Sequence, residues 1–299
     1  MTPGGGEAAV IVQNDRIGEP WSPLVAIQPA GRGRPFFCVH PVLGTAMVFV
    51  PLAGHLGKDR PFYGLEAPGL LDDQPAFDDV GAMAARYVAS IRAVQPGGPY
   101  LLGGFSFGGL VAVEMARQLH DVGQEVALLA VLDSGTPDYI RRSAPKDGLA
   151  LLIEVARVLD VNFSLDELGA LAREQRLAYA HGHIVAAGLV PAGVSPARLE
   201  AHVDAHLRAA QRYAPRVPCR MTFFRASDTG GYAFTTEPIP DFGEAWSACS
   251  PHPVVRHDVP GTHSTMIFEP HVRTLAARLR ACLDEADPPE DAPGATSER

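Results

Sequence analysis

Cysteine is scarce and dispersed: Cys38, Cys219, Cys249 and Cys282 are the only four in 299 residues, and no two form a C-x-x-C pair. That spacing argues against a disulfide framework and a cysteine zinc site, and suits thiols kept reduced in the cytosol. Basic clusters are missing apart from Arg141-Arg142, and the formal net charge is −9. Nucleic acid and anionic membrane surfaces are therefore poor candidates for the main partner, while small neutral substrates and proteins stay open. No apolar run approaches the ~18 residues of a membrane span. Met1 to Asp15 has no basic stretch followed by an apolar core, so no signal peptide is expected and the expected location is cytoplasmic. A dinucleotide fingerprint is lacking as well. G-x-G-x-x-G starting at Gly103 needs glycine at Phe105, and starting at Gly104 needs it at Ser106.

What remains is an ordinary globular composition, 46% hydrophobic and 20% charged, in a chain long enough for one α/β domain with an insertion or two small domains. Residues 1–20, with their early glycines, are expected to form a flexible tail, and 285–299, which mixes acidic residues with Pro and Ser, a disordered one. Between them, over 21–284, short β-rich runs alternate with helical patterns. Phe36 to Val39, Phe62 to Leu65, Tyr100 to Leu102, Val126 to Leu132, Arg220 to Phe224 and Val254 to Val259 read as strands, several of them continuously apolar as in a parallel sheet buried on both faces. Val80, Met83, Ala84, Tyr87, Val88 and Ile91 share one helical face, with Asp78 or Asp79 placed to cap it. Val272, Leu275, Ala276, Leu279 and Leu283 share another behind Pro270. Strand and helix in alternation predict an α/β fold with a mostly parallel, doubly wound sheet. From about 136 to 215 the alternation stops. Helical patterns over Asp147 to Val161, Leu165 to Ala187 and Pro196 to Tyr213 follow one another, which is the expectation for a helical lid insertion.

The strongest chemical signal is Leu101-Leu102-Gly103-Gly104-Phe105-Ser106-Phe107-Gly108-Gly109, a G-x-S-x-G placed between a predicted strand and an amphipathic helix over Leu110 to Leu119. A serine on so tight a turn takes strained backbone angles, and the residues two before and two after it must be small. Gly104 and Gly108 meet that need, and the turn aims the helix's first N–H groups, Phe107's included, at a developing oxyanion.

A serine hydroxyl needs a base, expected late in the chain on a loop after a strand. His263 fits, in Val259-Pro260-Gly261-Thr262-His263, whereas His257 lies within a strand and His271 at a helix start. The orienting acid belongs at a strand's C-terminal end on the same rim, and two residues qualify there, Asp133 after Leu128 to Leu132 and Asp228 after Met221 to Phe224. A second oxyanion amide is expected from His40-Pro41-Val42-Leu43-Gly44. Val42 is the natural donor because Pro41 has no N–H, and His40, preceding the nucleophile, suits a structural role. His202 and His206 lie four apart on a predicted helix, but the intervening Val-Asp-Ala lacks a zinc protease's glutamate and no third ligand is evident, so no metal is expected.

Taken together, Phe36 to Gly44, Gly98 to Gly109, Leu132-Asp133-Ser134, Pro260 to His263 and Glu269 to Val272 resemble the type I thioesterase domains that end nonribosomal peptide and polyketide synthetases, within the α/β-hydrolase superfamily. The resemblance runs from about Pro35 to Leu283. It implies secondary metabolism such as antibiotic biosynthesis, and it places the acid at Asp133. Further, it implies a Ser106–Asp133–His263 triad with Val42 and Phe107 amides as oxyanion donors, and no cofactor of the chain's own. The substrate would be an acyl, peptidyl or polyketide chain on the phosphopantetheine of a partner carrier protein, released by hydrolysis or macrocyclisation. A stand-alone editing thioesterase, a carboxylesterase or lipase, and a binding protein with an idle serine are the alternative readings. Thr262 departs from the family, which often carries an acidic residue there.

Overall fold

The computed structural model describes residues 22–72, 74–143, 145, 147–159, 164–229 and 240–288. The expected tail over 1–20 therefore lies outside the described residues, as does 289–299 of the second. Among the described residues one sheet holds seven strands: β1 (Leu24–Gln28), β2 (Phe36–Val39), β3 (Phe62–Leu65), β4 (Tyr100–Phe105), β5 (Val126–Leu132), β6 (Met221–Ala226) and β7 (Val254–Val259). Their order is β1-β3-β2-β4-β5-β6-β7, every adjacent pair parallel except β1 with β3. β1 is absent from the expectations above. It is a five-residue edge strand burying only Val25 and Ile27, too short an alternation to stand out without its partner.

Helices cover both faces: α1 (Val50–Leu56), α2 (Val80–Val94), α3 (Phe107–Asp121), α4 (Pro137–Ser143), α5 (Gly148–Leu159), α6 (Leu165–Gly169), α7 (Arg173–Ala186), α8 (Pro196–Arg212), α9 (Phe242–Ser247) and α10 (Val272–Ala286). The period-two alternation of the strands sorts the core into two layers. Phe36 and Cys38 of β2 and Leu101 and Phe105 of β4 face the layer that contains Leu52 of α1 and Leu275 of α10. Phe37, Val39, Tyr100 and Leu102 face Met83 and Tyr87 of α2 and Leu110 and Val113 of α3. Each large side chain buried there contributes ~1.5–3 kcal/mol of transfer free energy, which explains why the central strands tolerate almost no polar residue.

The five helices α4 to α8 lie between β5 and β6 and extend the core layer that holds Leu52 and Leu275. Leu152, Ala156, Ala180, Ile184, Leu199 and Val203 are buried in it. One continuous helix over Leu165 to Ala187 does not form. α6 stops at Gly169, and α7 starts afresh where the Gln175 side chain accepts from the Ala172 N–H at 3.0 Å. Glycine's unconstrained backbone makes it a natural helix terminator. The expected helix over Asp147 to Val161 is α5, and Val161 lies outside the described residues.

Of the two expected caps for α2, Asp79 is the one in place: its Oδ1 accepts from Ala82 N–H at 2.8 Å. Asp79→Ala should lower the free energy of unfolding by about 1 kcal/mol. A urea titration showing no shift would contradict the assignment of that cap.

Candidate active site

Four strand ends meet at one rim of the sheet. β4 ends at Phe105, and the chain reverses into α3 through Ser106, whose backbone sits at φ 56°, ψ −124°. Before turning, Ser106 N–H still donates to Leu132 O at 2.9 Å, one last rung of the β4–β5 ladder. The bend leaves no volume for side chains on its inner side. A Cβ on Gly104 would lie 2.1 Å from Gly108 O, and one on Gly108 would lie 2.2 Å from Val39 O. A serine held in this region carries ~1–3 kcal/mol of backbone strain, sustained by the ladder on one side and the helix on the other.

β5 ends the same way. Asp133 N–H donates to Phe224 O at 2.8 Å, and Asp133 then bends at φ 46°, a conformation aspartate tolerates better than most residues. Its carboxylate is 2% exposed. Oδ1 accepts from Ala226 N–H at 2.9 Å and Oδ2 accepts from His263 Nδ1 at 2.9 Å. The Trp246 indole N–H, itself buried in α9, donates to Ser134 O at 2.9 Å and fixes the turn behind the carboxylate.

His263 follows β7 on a turn made by Gly261, at φ 95°, and a hydroxyl pair in which Thr262 Oγ1 and Thr265 Oγ1 lie 3.1 Å apart. Thr262 thus has a local role, holding the turn rather than reaching the imidazole. The ring stacks on Phe105 at 5.1 Å, and Nε2 lies 3.0 Å from Ser106 Oγ. A carboxylate can only accept, so the proton on Nδ1 belongs to the imidazole and the Nε2 lone pair faces the serine hydroxyl. Ser106, His263 and Asp133 are therefore brought together, while Asp228, the other expected acid, is an exposed residue after β6 whose N–H donates to Gly261 O at 3.0 Å.

The first N–H groups of α3, Phe107's among them, have no carbonyl one turn back to bond. Val42 lies across the same pocket, whose walls include Ser106, Phe107, Tyr139, Leu151, Val155 and His263. Leu151 and Val155 of α5 face this pocket, while Leu152 and Ile184 are spent on packing within the insertion. An apolar chamber with one aimed hydroxyl suits acyl transfer, with a proton passing to the imidazole and negative charge developing near backbone N–H groups.

Three buried histidines cluster at this pocket, His206 forming part of its wall. His40 is held by Pro41 O, which accepts from Nδ1 at 2.7 Å, and by Tyr87 O–H, which donates to Nε2 at 2.7 Å. His206 Nδ1 donates to Val42 O at 2.9 Å, while neither ring nitrogen of His202 has a partner among the described residues. Burial lowers the pKa of His40 to about 4 and that of His202 to about 3, and holds His206 well below the ordinary imidazole value. All three are neutral at physiological pH. His202 and His206 meet edge to face at 4.1 Å, and sequence reasoning missed what they touch because no pattern along one helix reveals a neighbour from a distant loop.

Residues 34–282 match the family model described as Thioesterase domain. Malpinin synthetase of Mortierella alpina is 46% identical over 129 residues, 43% of this chain and 2% of that protein. Inactive atromentin synthetase invA4 of Paxillus involutus is 35% identical over 169 residues, 56% of this chain and 18% of that protein. The chain thus spans less than a fifth of either relative. Among solved structures, the covalent complex of the NocB thioesterase domain with a fluorophosphonate nocardicin G analog superposes with a TM-score of 0.59 and 27% identity, covering 85% of this chain and 96% of that one. The mostly parallel seven-stranded sheet is the α/β-hydrolase fold of these neighbours.

The buried imidazoles make stability depend on pH. Their folded pKa values lie below the unfolded value near 6.5, so between these limits the unfolded chain binds more protons and stability falls as pH falls. For His40 alone, passing from 6.5 to about 4 removes on the order of 3 kcal/mol. Urea midpoints should be highest above pH 7 and decline from about pH 6.5 to pH 5. Replacing the unpartnered ring, as His202→Leu, should make that decline shallower without loss of stability at pH 7.5; an unchanged slope would contradict this account.

Proposed function

The chain belongs to the thioesterase domain family, and from that membership we propose that it releases an acyl, peptidyl or polyketide chain from the phosphopantetheine thioester of a carrier protein, through an acyl-enzyme on Ser106. The observation that carries this reading is the continuous pair of hydrogen bonds from Asp133 Oδ2 through His263 to Ser106 Oγ. His263 Nε2 takes the hydroxyl proton as Oγ attacks the thioester carbonyl carbon, and Asp133 stabilises the imidazolium that results. The Val42 and Phe107 N–H groups receive the oxyanion, each worth about 3–4 kcal/mol in the barrier. Collapse expels the thiolate, which takes the proton from His263 and leaves as the thiol. Water, or a hydroxyl or amine of the chain itself, then gives its proton to His263 and attacks the ester carbonyl, and Ser106 recovers its hydrogen. In this reading α4 to α8 act as a lid over the apolar pocket, and the acceptor that wins is the one the lid admits.

A fluorophosphonate probe should give a one-to-one adduct on Ser106, lost in Ser106→Ala and strongly slowed in His263→Ala. An unlabelled wild-type serine would support an idle, binding-only fold, and labelling that survives Ser106→Ala would refute the nucleophile. Asp133→Asn should lower kcat by ~10³–10⁴-fold through the wrong imidazole tautomer, with Asp228→Asn within about twofold of wild type. An acyl-carrier thioester should be turned over faster than the matched oxygen ester, and the reverse preference would reject the substrate class in favour of a carboxylesterase.

A further inference from the structure

We propose that His40 and His206 are positioning residues for the Val42 oxyanion donor, so that α8 of the insertion completes the oxyanion hole; the inference rests on the reading of Ser106 as a nucleophile. The N–H of Val42 belongs to the peptide group whose carbonyl is Pro41's. This peptide is trans, its C=O and N–H pointing in opposite directions within one plane. Whatever fixes the oxygen therefore aims the N–H. Pro41 O accepts two hydrogen bonds, from His40 Nδ1 at 2.7 Å and from Gly44 N–H at 2.9 Å. The next peptide is fixed in the same manner, since Val42 O accepts from His206 Nδ1 at 2.9 Å. With a carbonyl held on each side, Val42 has little freedom in φ or ψ.

The two imidazoles also reach the other donor. His40 and His206 stack at 5.2 Å and 17°, and His206 stacks on the Phe107 ring at 4.5 Å and 12°. One column of rings thus links the residue before Pro41, a helix of the insertion, and the residue whose amide opens α3. Tautomers follow from the partners: each histidine must carry its proton on Nδ1, because a carbonyl only accepts. Tyr87 O–H donates into His40 Nε2, which polarises the ring toward a stronger Nδ1 donor. His202, which meets His206 edge to face, fits beside the column because Gly44 makes room: a Cβ there, at φ 87°, would lie 2.3 Å from Nε2 of His202. A second bond ties the same loop to the insertion, Thr45 Oγ1 donating to Leu189 O at 2.6 Å. Displacing α8 would remove the bond on Val42 O and the ring against Phe107 together. Lid position and oxyanion stabilisation are coupled through one side chain, His206.

The test compares His206→Phe, which keeps a flat ring on Phe107 and deletes the donor, with His206→Asn, whose amide N–H stands near the Nδ1 position; His40→Phe and His40→Asn form the matching pair. Two rates are read: phosphonylation of Ser106 by a fluorophosphonate probe, which needs the oxyanion hole whatever the natural substrate, and turnover of an acyl N-acetylcysteamine thioester. Both Phe variants should slow phosphonylation and kcat together by ~10- to 100-fold with KM within about twofold, and the Asn variants should recover most of the loss. Melting temperatures measured alongside should not order the variants as the rates do. Phe variants reacting within about twofold of wild type, or Asn variants no faster than Phe variants, would overturn the proposal. A wild-type protein that labels at Ser106 but leaves the thioester intact would instead defeat the thioesterase reading, while the labelling rates still decide the role of the histidines.

Discussion

Two parallel strands that each add one more ladder rung and then bend at positive φ set everything else at this rim. Ser106 and Asp133 are the non-glycine residues with positive φ among the described residues, at 56° and 46°, and each donates its N–H to the neighbouring strand before it turns. Such a backbone is costly, and it persists because the sheet and the following segment over-determine it. The bend lifts the serine out of the sheet and turns the aspartate toward a loop from two strands away. Without both, the imidazole of His263 would have nothing to join.

The electrostatic design is one of exclusion. Asp133 is shut away from solvent and satisfied by a backbone amide and an imidazole, whereas His263 keeps 18% of its side-chain surface. In the proposed reaction, a nearly buried carboxylate opposite the imidazolium acts in a lower dielectric than water, which strengthens their attraction. The remaining imidazoles near the pocket, His40, His202 and His206, are kept neutral by burial and take part through hydrogen bonds and stacking instead of charge. Two roles for one residue type are thereby separated by environment alone: the solvent-touched ring beside a carboxylate is suited to proton transfer, and the dry rings to holding geometry.

Much of this is legible in the amino-acid sequence because it rests on local pattern. Continuous apolar runs such as Val126 to Leu132 announce strands buried on both faces, and the face shared by Val272, Leu275, Ala276, Leu279 and Leu283 is the face α10 buries. Gly104 and Gly108 around Ser106 encode a steric demand, since a Cβ on either would lie only 2.1 or 2.2 Å from a backbone oxygen. Position after a strand leaves both Asp133 and Asp228 open, the more apolar strand and tight Ser134-Gly135 turn leaning toward Asp133; what identifies the acid is the hydrogen bond from His263 Nδ1 to Asp133 Oδ2, a contact between segments 130 residues apart. The contacts of His206 were illegible for a similar reason, as they join α8 to a loop 164 residues away. β1, α1, α4 and α9 escaped because each is short, and their residues acquire a recognisable face only once the sheet is there to define it.

The account stands or falls on covalent chemistry at the bend. Mixing the protein with an acyl thioester, quenching within one turnover and mapping the modified peptide by mass spectrometry should find the acyl group on Ser106, and Asp133→Asn should suppress its appearance. Thioester consumed with no acylated serine, or with the acyl group on another residue, would contradict it.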